Sequence, residues 1–443
     1  MSNTNRHNSF ARHFNFYYLI RARYNIVWSF TGVFLAILSP FRRLPKNVDI
    51  LFLCHDVHRH ARKYDKWYSS LIDPINEEFN SQFSCLTIAT PFSKLFGRKC
   101  YGDVRIHSLI IIIAFLKRIF FYRSLNLKNV ENDPLIAAYY NLLKKINPKI
   151  VIGIQPSVEF CLASKQLNIP TYDMQHGLIS DVNYYAIKKR QSINQLGWPD
   201  LVLCWDVHSA ERLVRITEGN VKPMIIGNPS YHSNAGRDLH NLQVLVHERR
   251  FKIEILVTLT YLDYNVYHED ENYRYIGIPT PLVKLIKASP DVFWRLRLHP
   301  VQLKFAKKRV DAYLNKIFHE NKNIDWNSYS SLSFGAAVKG CNGHMTVGSA
   351  SALDAFQNSV PTILVGCPGV ADFEKAELYF SEYIKSGNVK YIDGKDLLPN
   401  SLNFFNSSHN HLSNENKEDS LIEAYTNFSN FSKSISLQLG SKL

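Results

Sequence analysis

The chain has 443 residues, 46% of them hydrophobic, enough to bury two ordinary globular cores, and no segment repeats at solenoid spacing. A formal net charge of +14 points to an anionic partner, and nucleic acid, an acidic membrane leaflet and a phosphorylated or acidic sugar donor all meet that description. The 7 cysteines are an odd number with no C-x-x-C spacing, which argues against zinc; Cys54, Cys161, Cys204 and Cys367 sit in or beside apolar runs, as reduced thiols in a cytosolic setting do.

Residues 1–45 carry arginines at 6, 12, 21, 23, 42 and 43 and no acidic residue, around an apolar run over 26–38 with Trp28, Phe30 and Phe34. The run is too short to span a bilayer and lacks a cleavage pattern. It predicts an interfacial helix lying on an anionic membrane surface, or a helix packed on the protein's own core. The first buried strand is expected over 48–54, followed by a His- and Arg-rich stretch over 55–66 and a second strand over 84–90. The strongly apolar 106–122 segment reads as a buried helix, with a second membrane-contact surface as its alternative. An amphipathic helix follows over 135–146.

A strand–helix–strand unit comes next: an apolar β-branched run over 149–154, helical periodicity over 157–168 and a strand over 169–174. Gln175-His176-Gly177 falls just past that second strand. Ligands of open parallel sheets bind at this edge, which makes His176 a site candidate on position alone. Short strands over 201–205 and 224–226 flank a helix over 208–216, and Gly227-Asn228-Pro229 turns at a strand end. Alternating strands and helices imply doubly wound parallel sheets.

The polar stretch 230–250 is the expected linker between an amino-terminal domain over 46–229 and a carboxyl-terminal domain over 251–405. The second domain reads as a strand over 253–260, a helix over 281–288, a strand over 292–298 ending in Arg297-Leu298-His299-Pro300, and a Lys/Arg-rich helix over 302–318. His344 to Gly348 then leads into Ser349-Ala350-Ser351-Ala352-Leu353-Asp354, a small-residue turn opening a helix. Its free N–H groups and hydroxyls suit a phosphate. A strand over 362–365 closes that unit, and 406–443 forms a polar segment with a last helix over 420–439 that packs back on the domains.

The Gln-His-Gly turn, the later His-Pro and the Ser-Ala-Ser helix start occur in that order at strand ends. The arrangement resembles bacterial GT-B glycosyltransferases of capsule and lipopolysaccharide synthesis, particularly those using CMP-activated acidic sugars, of the 3-deoxy-octulosonate and sialyl type. The resemblance implies an α/β fold of two Rossmann-like doubly wound domains facing a central cleft. It implies a metal-independent transferase with no cofactor beyond its nucleotide-sugar substrate, acting on a surface polysaccharide or lipid-linked glycan acceptor. Such an enzyme would be cytoplasmic and peripheral on the inner face of the cell membrane.

The resemblance also implies roles for particular residues. His299 would contact the donor's phosphate or base, with Pro300 fixing the turn. Ser349 and Ser351, with Ala350 between them, would hold the phosphate, Arg297 would add a charge-assisted bond unless strand alternation sends it to the other face, and Asp354 would reach a ribose hydroxyl. His176 would sit near the scissile bond or the acceptor, and Gln175 would hold the turn or the sugar. Gly177 would permit close backbone approach, and Asn228 would complete the substrate side. Gln155 stands at an early strand end where an aspartate is expected, leaving Glu159, Asp181 and Asp56 as competing acids.

Three other readings stand beside this one. A nucleotide-sugar epimerase shares the architecture and needs no acceptor. A non-catalytic member of a polysaccharide assembly complex accounts for Gln155. Nucleic-acid binding rests on charge alone, without an aromatic–basic motif, and no such partner is expected.

Overall fold

The computed structural model describes residues 44–55, 58–59, 61–63, 66–89, 100–101, 104–106, 113–114, 133–179, 197–230, 251–260, 278–299, 302–303, 306–332, 334–366, 377, 380–411 and 415–440. The basic segment 1–43, nearly all of the apolar 106–122 run and the 231–250 linker stretch lie outside them. Among the described residues no helix is long and apolar enough to cross a membrane.

The first lobe starts with β1 (Ile50–Leu53), an antiparallel hairpin of β2 (Ala61–Lys63) and β3 (Lys66–Tyr68), and a helix over Asp73–Phe79. It continues with β4 (Cys85–Ala89), β5 (Val104–Ile106), a helix over Pro134–Ile146, β6 (Ile150–Gly153) and a helix over Val158–Gln166. β7 (Thr171–Met174), β8 (Leu201–Cys204), a helix over Val207–Ile216 and β9 (Lys222–Ile225) complete it. The seven-stranded sheet runs β5-β4-β1-β6-β7-β8-β9 with every pairing parallel.

Local chemistry sets these boundaries. Asp133 accepts from the N–H groups of Leu135 and Ile136, Pro134 occupies the first helical position, and Asn147 ends that helix at φ 52°. Ser157 caps the next helix by accepting from Phe160 N. In β1 successive side chains enter different cores, Ile50 and Phe52 on one face and Leu51 and Leu53 on the other. A strand covered on both faces by helices needs such an unbroken apolar run.

The second lobe is built from β10 (Ile253–Thr258), a helix over Thr280–Ala288, β11 (Val292–Arg297), a helix over Lys307–Phe318 and β12 (Ile324–Asp325). Short helices over Asn327–Ser331 and Phe334–Val338 lead to β13 (Gly343–Thr346), a helix over Ser351–Gln357, β14 (Thr362–Gly366), a helix over Ser381–Lys385 and β15 (Val389–Asp393). Its six strands run β12-β11-β10-β13-β14-β15, again all parallel. Both sheets are doubly wound, so the expected fold class is the one the chain forms. Ile106 differs from its expected helix, because it ends edge strand β5.

Helices over Leu397–His411 and Glu415–Leu439 close the chain. The last returns to the first lobe: Phe431 packs edge-on to Phe79 at 5.8 Å, and Gln438 Oε1 accepts from Tyr172 Oη at 2.9 Å.

The lobes are joined by a polar latch between Val207–Ile216 and Ser381–Lys385. Asp206 caps the first of these helices through Ser209 N at 2.7 Å, and the same carboxylate accepts from Tyr383 Oη at 3.1 and 3.2 Å. Arg212 and Arg215 both reach Glu382, at 3.4 and 3.1 Å. His208, Phe356 and Tyr383 stack edge-on around this joint. Tyr383→Phe removes the donor that faces a capping carboxylate, so it should destabilise the joint by about 1–3 kcal/mol and lower the thermal midpoint. A variant that melts with wild type would mean that the tyrosine hydroxyl contributes nothing to holding the lobes.

Candidate functional site

In a doubly wound sheet the chain direction reverses once, leaving a crevice between two strands whose following connections diverge. The first sheet reverses between β1 and β6 and the second between β10 and β13. At the carboxyl ends of these pairs lie Gln155, after β6, and Thr258 and the Gly348–Ser351 turn, after β10 and β13. The Gln175-His176-Gly177 turn follows β7, next to β6. A Cβ added at Gly177 would stand 3.8 Å from Ala350 Cβ, so the two turns face each other across the lobes. Asn228, past β9, donates to Asp354 Oδ1 at 2.8 Å and makes a second crossing.

The Gln-His-Gly turn is held from beneath. Gln175 is 1% exposed; its oxygen accepts from Trp205 N at 2.7 Å, and its amide donates to Gly177 O and Ser209 Oγ, each at 3.0 Å. Of the two expected roles for Gln175, holding the turn is the one these bonds describe. Ser209 Oγ lies 3.4 Å from Tyr383 Oη, which continues the network into the latch. His176 meets His58 edge-on at 5.5 Å, and burial pushes its pKa down to about 4, so the ring is neutral near pH 7. Gly177 is outside the left-handed region, and an added Cβ would make ordinary contact with Ala350.

Gln155 adopts φ 52° and is exposed; its N–H donates to Asp173 Oδ1 at 2.9 Å. Asp173, 0% exposed in β7, is thus the carboxylate beside this strand end, and sequence reasoning missed it because it sits inside a strand. Glu159 is 5% exposed in the first turn of Val158–Gln166, a usual place for an acid beside free helix N–H groups. Asp181, Asp56 and Pro300 lie outside the described residues.

On the second lobe, Arg297 donates to Leu332 O at 2.9 Å; burial lowers its pKa to about 10 and nearby Asp354 opposes that shift, leaving a cation at pH 7. Packing therefore sets Arg297 on the face where Asp354 influences it. His299 is lowered to about 4, by burial first and then by Arg297. The Ser351–Gln357 helix has only seven residues and no side-chain cap, so its dipole is modest; Ser349 Oγ accepts from Ser351 N at 3.3 Å. Beneath it, Thr258 Oγ1 lies 2.6 Å from Ser351 Oγ and 2.9 Å from His344 Nε2, and His344 Nδ1 lies 3.3 Å from Thr362 Oγ1. Thr258, His344 and Thr362 were also missed; their signal is a polar residue among apolar neighbours in each of three adjacent strands.

Among the described residues no group of three or more His, Cys, Asp or Glu side chains is placed to hold a metal ion. A depression of about 400 Å³, lined by Asn147–Ile150, Leu167–Ile169, Gln438 and Leu439, lies at the opposite, amino-terminal edge of the first sheet, away from both crevices.

No family model matches the chain, and no curated protein does. Solved structures similar to it include MurG from Acinetobacter baumannii, 12% identical over 88% of this chain and 99% of that one, with a TM-score of 0.48. The glycosyltransferase VinC in complex with dTDP gives the same identity, coverage and TM-score. The UDP-GlcNAc 2-epimerase from Methanocaldococcus jannaschii is 14% identical over 82% of this chain and 91% of that one, with a TM-score of 0.44.

Three imidazoles, the half-buried His176 and His299 and the fully buried His344, have pKa values pushed below the ordinary 6.5, to about 4, 4 and 3. Unfolding lets each ring take up a proton that the fold excludes, so stability is undiminished above pH 6.5 and falls as pH drops toward 4. Asp73, raised to about 6 by burial, works the other way and offsets part of one ring. Each uncompensated ring sets a slope of up to about 1.4 kcal/mol per pH unit. The thermal midpoint should fall between pH 6.5 and 4, and less steeply in His176→Gln; an unchanged slope in that variant would show that this ring titrates normally in the fold.

Proposed function

We propose that the chain is a glycosyltransferase that moves a sugar from a nucleotide-sugar donor onto a glycan or lipid-linked acceptor. The observation that supports this most is the meeting of two crevice turns, Gly177 against Ala350, with the half-buried, neutral His176 in the first of them. A cleft made by two lobes lets donor and acceptor approach from opposite walls, and it excludes the water that would hydrolyse the donor.

In this reading the second lobe holds the donor. Ser349 and the backbone N–H groups of Gly348, Ser349 and Ala350 bond the phosphate, Arg297 supplies the positive charge beside it, and His299 donates to the phosphate or the base. The left-handed Gly348, at φ 69°, shapes the turn. Charge developing on the departing nucleotide phosphate is stabilised by these groups. His176, neutral and fixed through Gln175, either accepts the acceptor hydroxyl's proton or donates to the leaving phosphate. Asp354 accepts from Asn228 through Oδ1, which joins the lobes, and its other oxygen is the one that would reach a ribose hydroxyl.

The finer proposals are a CMP-activated donor, a capsule or lipopolysaccharide acceptor, and attachment of the basic segment 1–45 to the inner leaflet. Thermal-shift measurements with CMP, UDP and dTDP test the donor. Selective stabilisation by CMP is expected, and His299→Ala and Ser349→Ala should each abolish it. Selectivity for UDP or dTDP would replace CMP with that donor class. Equal responses of both variants and wild type would overturn the donor site, and turnover of nucleotide sugar without acceptor would identify an epimerase instead. Deleting residues 2–45 should release the protein from vesicles containing anionic lipid; undiminished binding would remove the anchor.

A further inference from the structure

The buried hydroxyls beneath the Ser349–Ser351 turn restrict what Ser351 can hold. Thr362 Oγ1 donates to the carbonyl oxygen of Val360 at 3.1 Å, and a carbonyl can only accept. With its proton spent there, Thr362 Oγ1 must accept from His344 Nδ1, 3.3 Å away, so the ring proton sits on Nδ1. His344 is 0% exposed and kept neutral by burial, so it has one N–H. Nε2 is then a bare acceptor, and Thr258 Oγ1, 2.9 Å away, donates to it. Thr258 has no second proton, which leaves the 2.6 Å contact with Ser351 Oγ to be made by the serine's own proton. The opposite ordering would break the Thr362–Val360 bond. Ser349 differs: its oxygen accepts from Ser351 N, and among the described residues its proton is not committed.

We infer that Ser351 meets a ligand only as a hydrogen-bond acceptor, and therefore holds a hydroxyl of the donor's ribose or sugar while Ser349 holds its phosphate. This deepens the nucleotide-sugar reading and rests on it. An ionised phosphate offers acceptor oxygens only, so two acceptors would face each other at Ser351, whereas a sugar hydroxyl completes the bond. His344 acts as a positioning residue, passing the direction set at Thr362 through Thr258 to the site.

The proton ordering is testable without any nucleotide. In the full-length chain labelled with ¹⁵N, imidazole shifts report which ring nitrogen carries hydrogen, and the signal lost in His344→Gln assigns the ring. Should that variant not fold, Thr362→Val identifies the same ring by the shift it causes at Nδ1. Hydrogen on Nδ1 is expected; hydrogen on Nε2 overturns the inference. Calorimetry then separates the two serines. Ser349→Ala should weaken inorganic pyrophosphate about tenfold, and Ser351→Ala should leave pyrophosphate within about twofold while weakening the selected nucleotide sugar about tenfold. Equal loss of pyrophosphate in both variants overturns the assignment. A wild-type protein that binds neither ligand sinks the donor-site reading instead, while the tautomer still decides the proton ordering.

Discussion

A single buried amide, that of Gln175, ties the first lobe's crevice turn to the joint between the lobes. Its oxygen holds the chain just past β8 at Trp205 N, and its nitrogen holds Gly177 O and Ser209 Oγ. Ser209 in turn sits between the Asp206 cap and Tyr383 of the second lobe. A buried amide with three partners has little freedom, and losing any one leaves a desolvated polar group without compensation. The position of His176 and the closure of the lobes are consequently parts of one network. A rotation of the lobes that pulled Tyr383 from Asp206 would also disturb the support under the Gln-His-Gly turn.

Parallel pairing makes the rest of the site inevitable. Every strand in each large sheet points the same way, so the polar chain that follows each strand collects on one edge. The latch and the Asn228–Asp354 bond then bring these edges together. Arg297 lies by Asp354, and His299 lies near enough to Arg297 for that cation to lower its pKa. In the proposed reading, His176 on one lobe and Arg297 with His299 on the other serve the departure of an anionic group.

The apolar strands were legible because buried parallel strands are almost uninterrupted runs; β1, β6 and β10 fall where such runs occur. The turn after β7 was legible by position, as polar residues ending a buried strand. Its chemistry was not, because two of the three partners of Gln175 lie 30 and 34 residues away and depend on how β8 pairs. The side taken by Arg297 stayed open in the sequence, since alternation gives two faces and only packing chooses between them. His344 and Thr362 could be seen as polar residues in apolar strands, but their pairing needs the β13–β14 register. Short strands such as β12 carry too few residues for periodicity to show.

The most direct test of a shared cleft is hydrogen exchange of the full chain with and without saturating CMP, UDP and dTDP. The account predicts that one nucleotide protects 174–179 and 348–354 together, because the turns they contain meet at Gly177 and Ala350. Protection confined to one lobe, or centred on the depression beside Asn147 and Gln438, would contradict it.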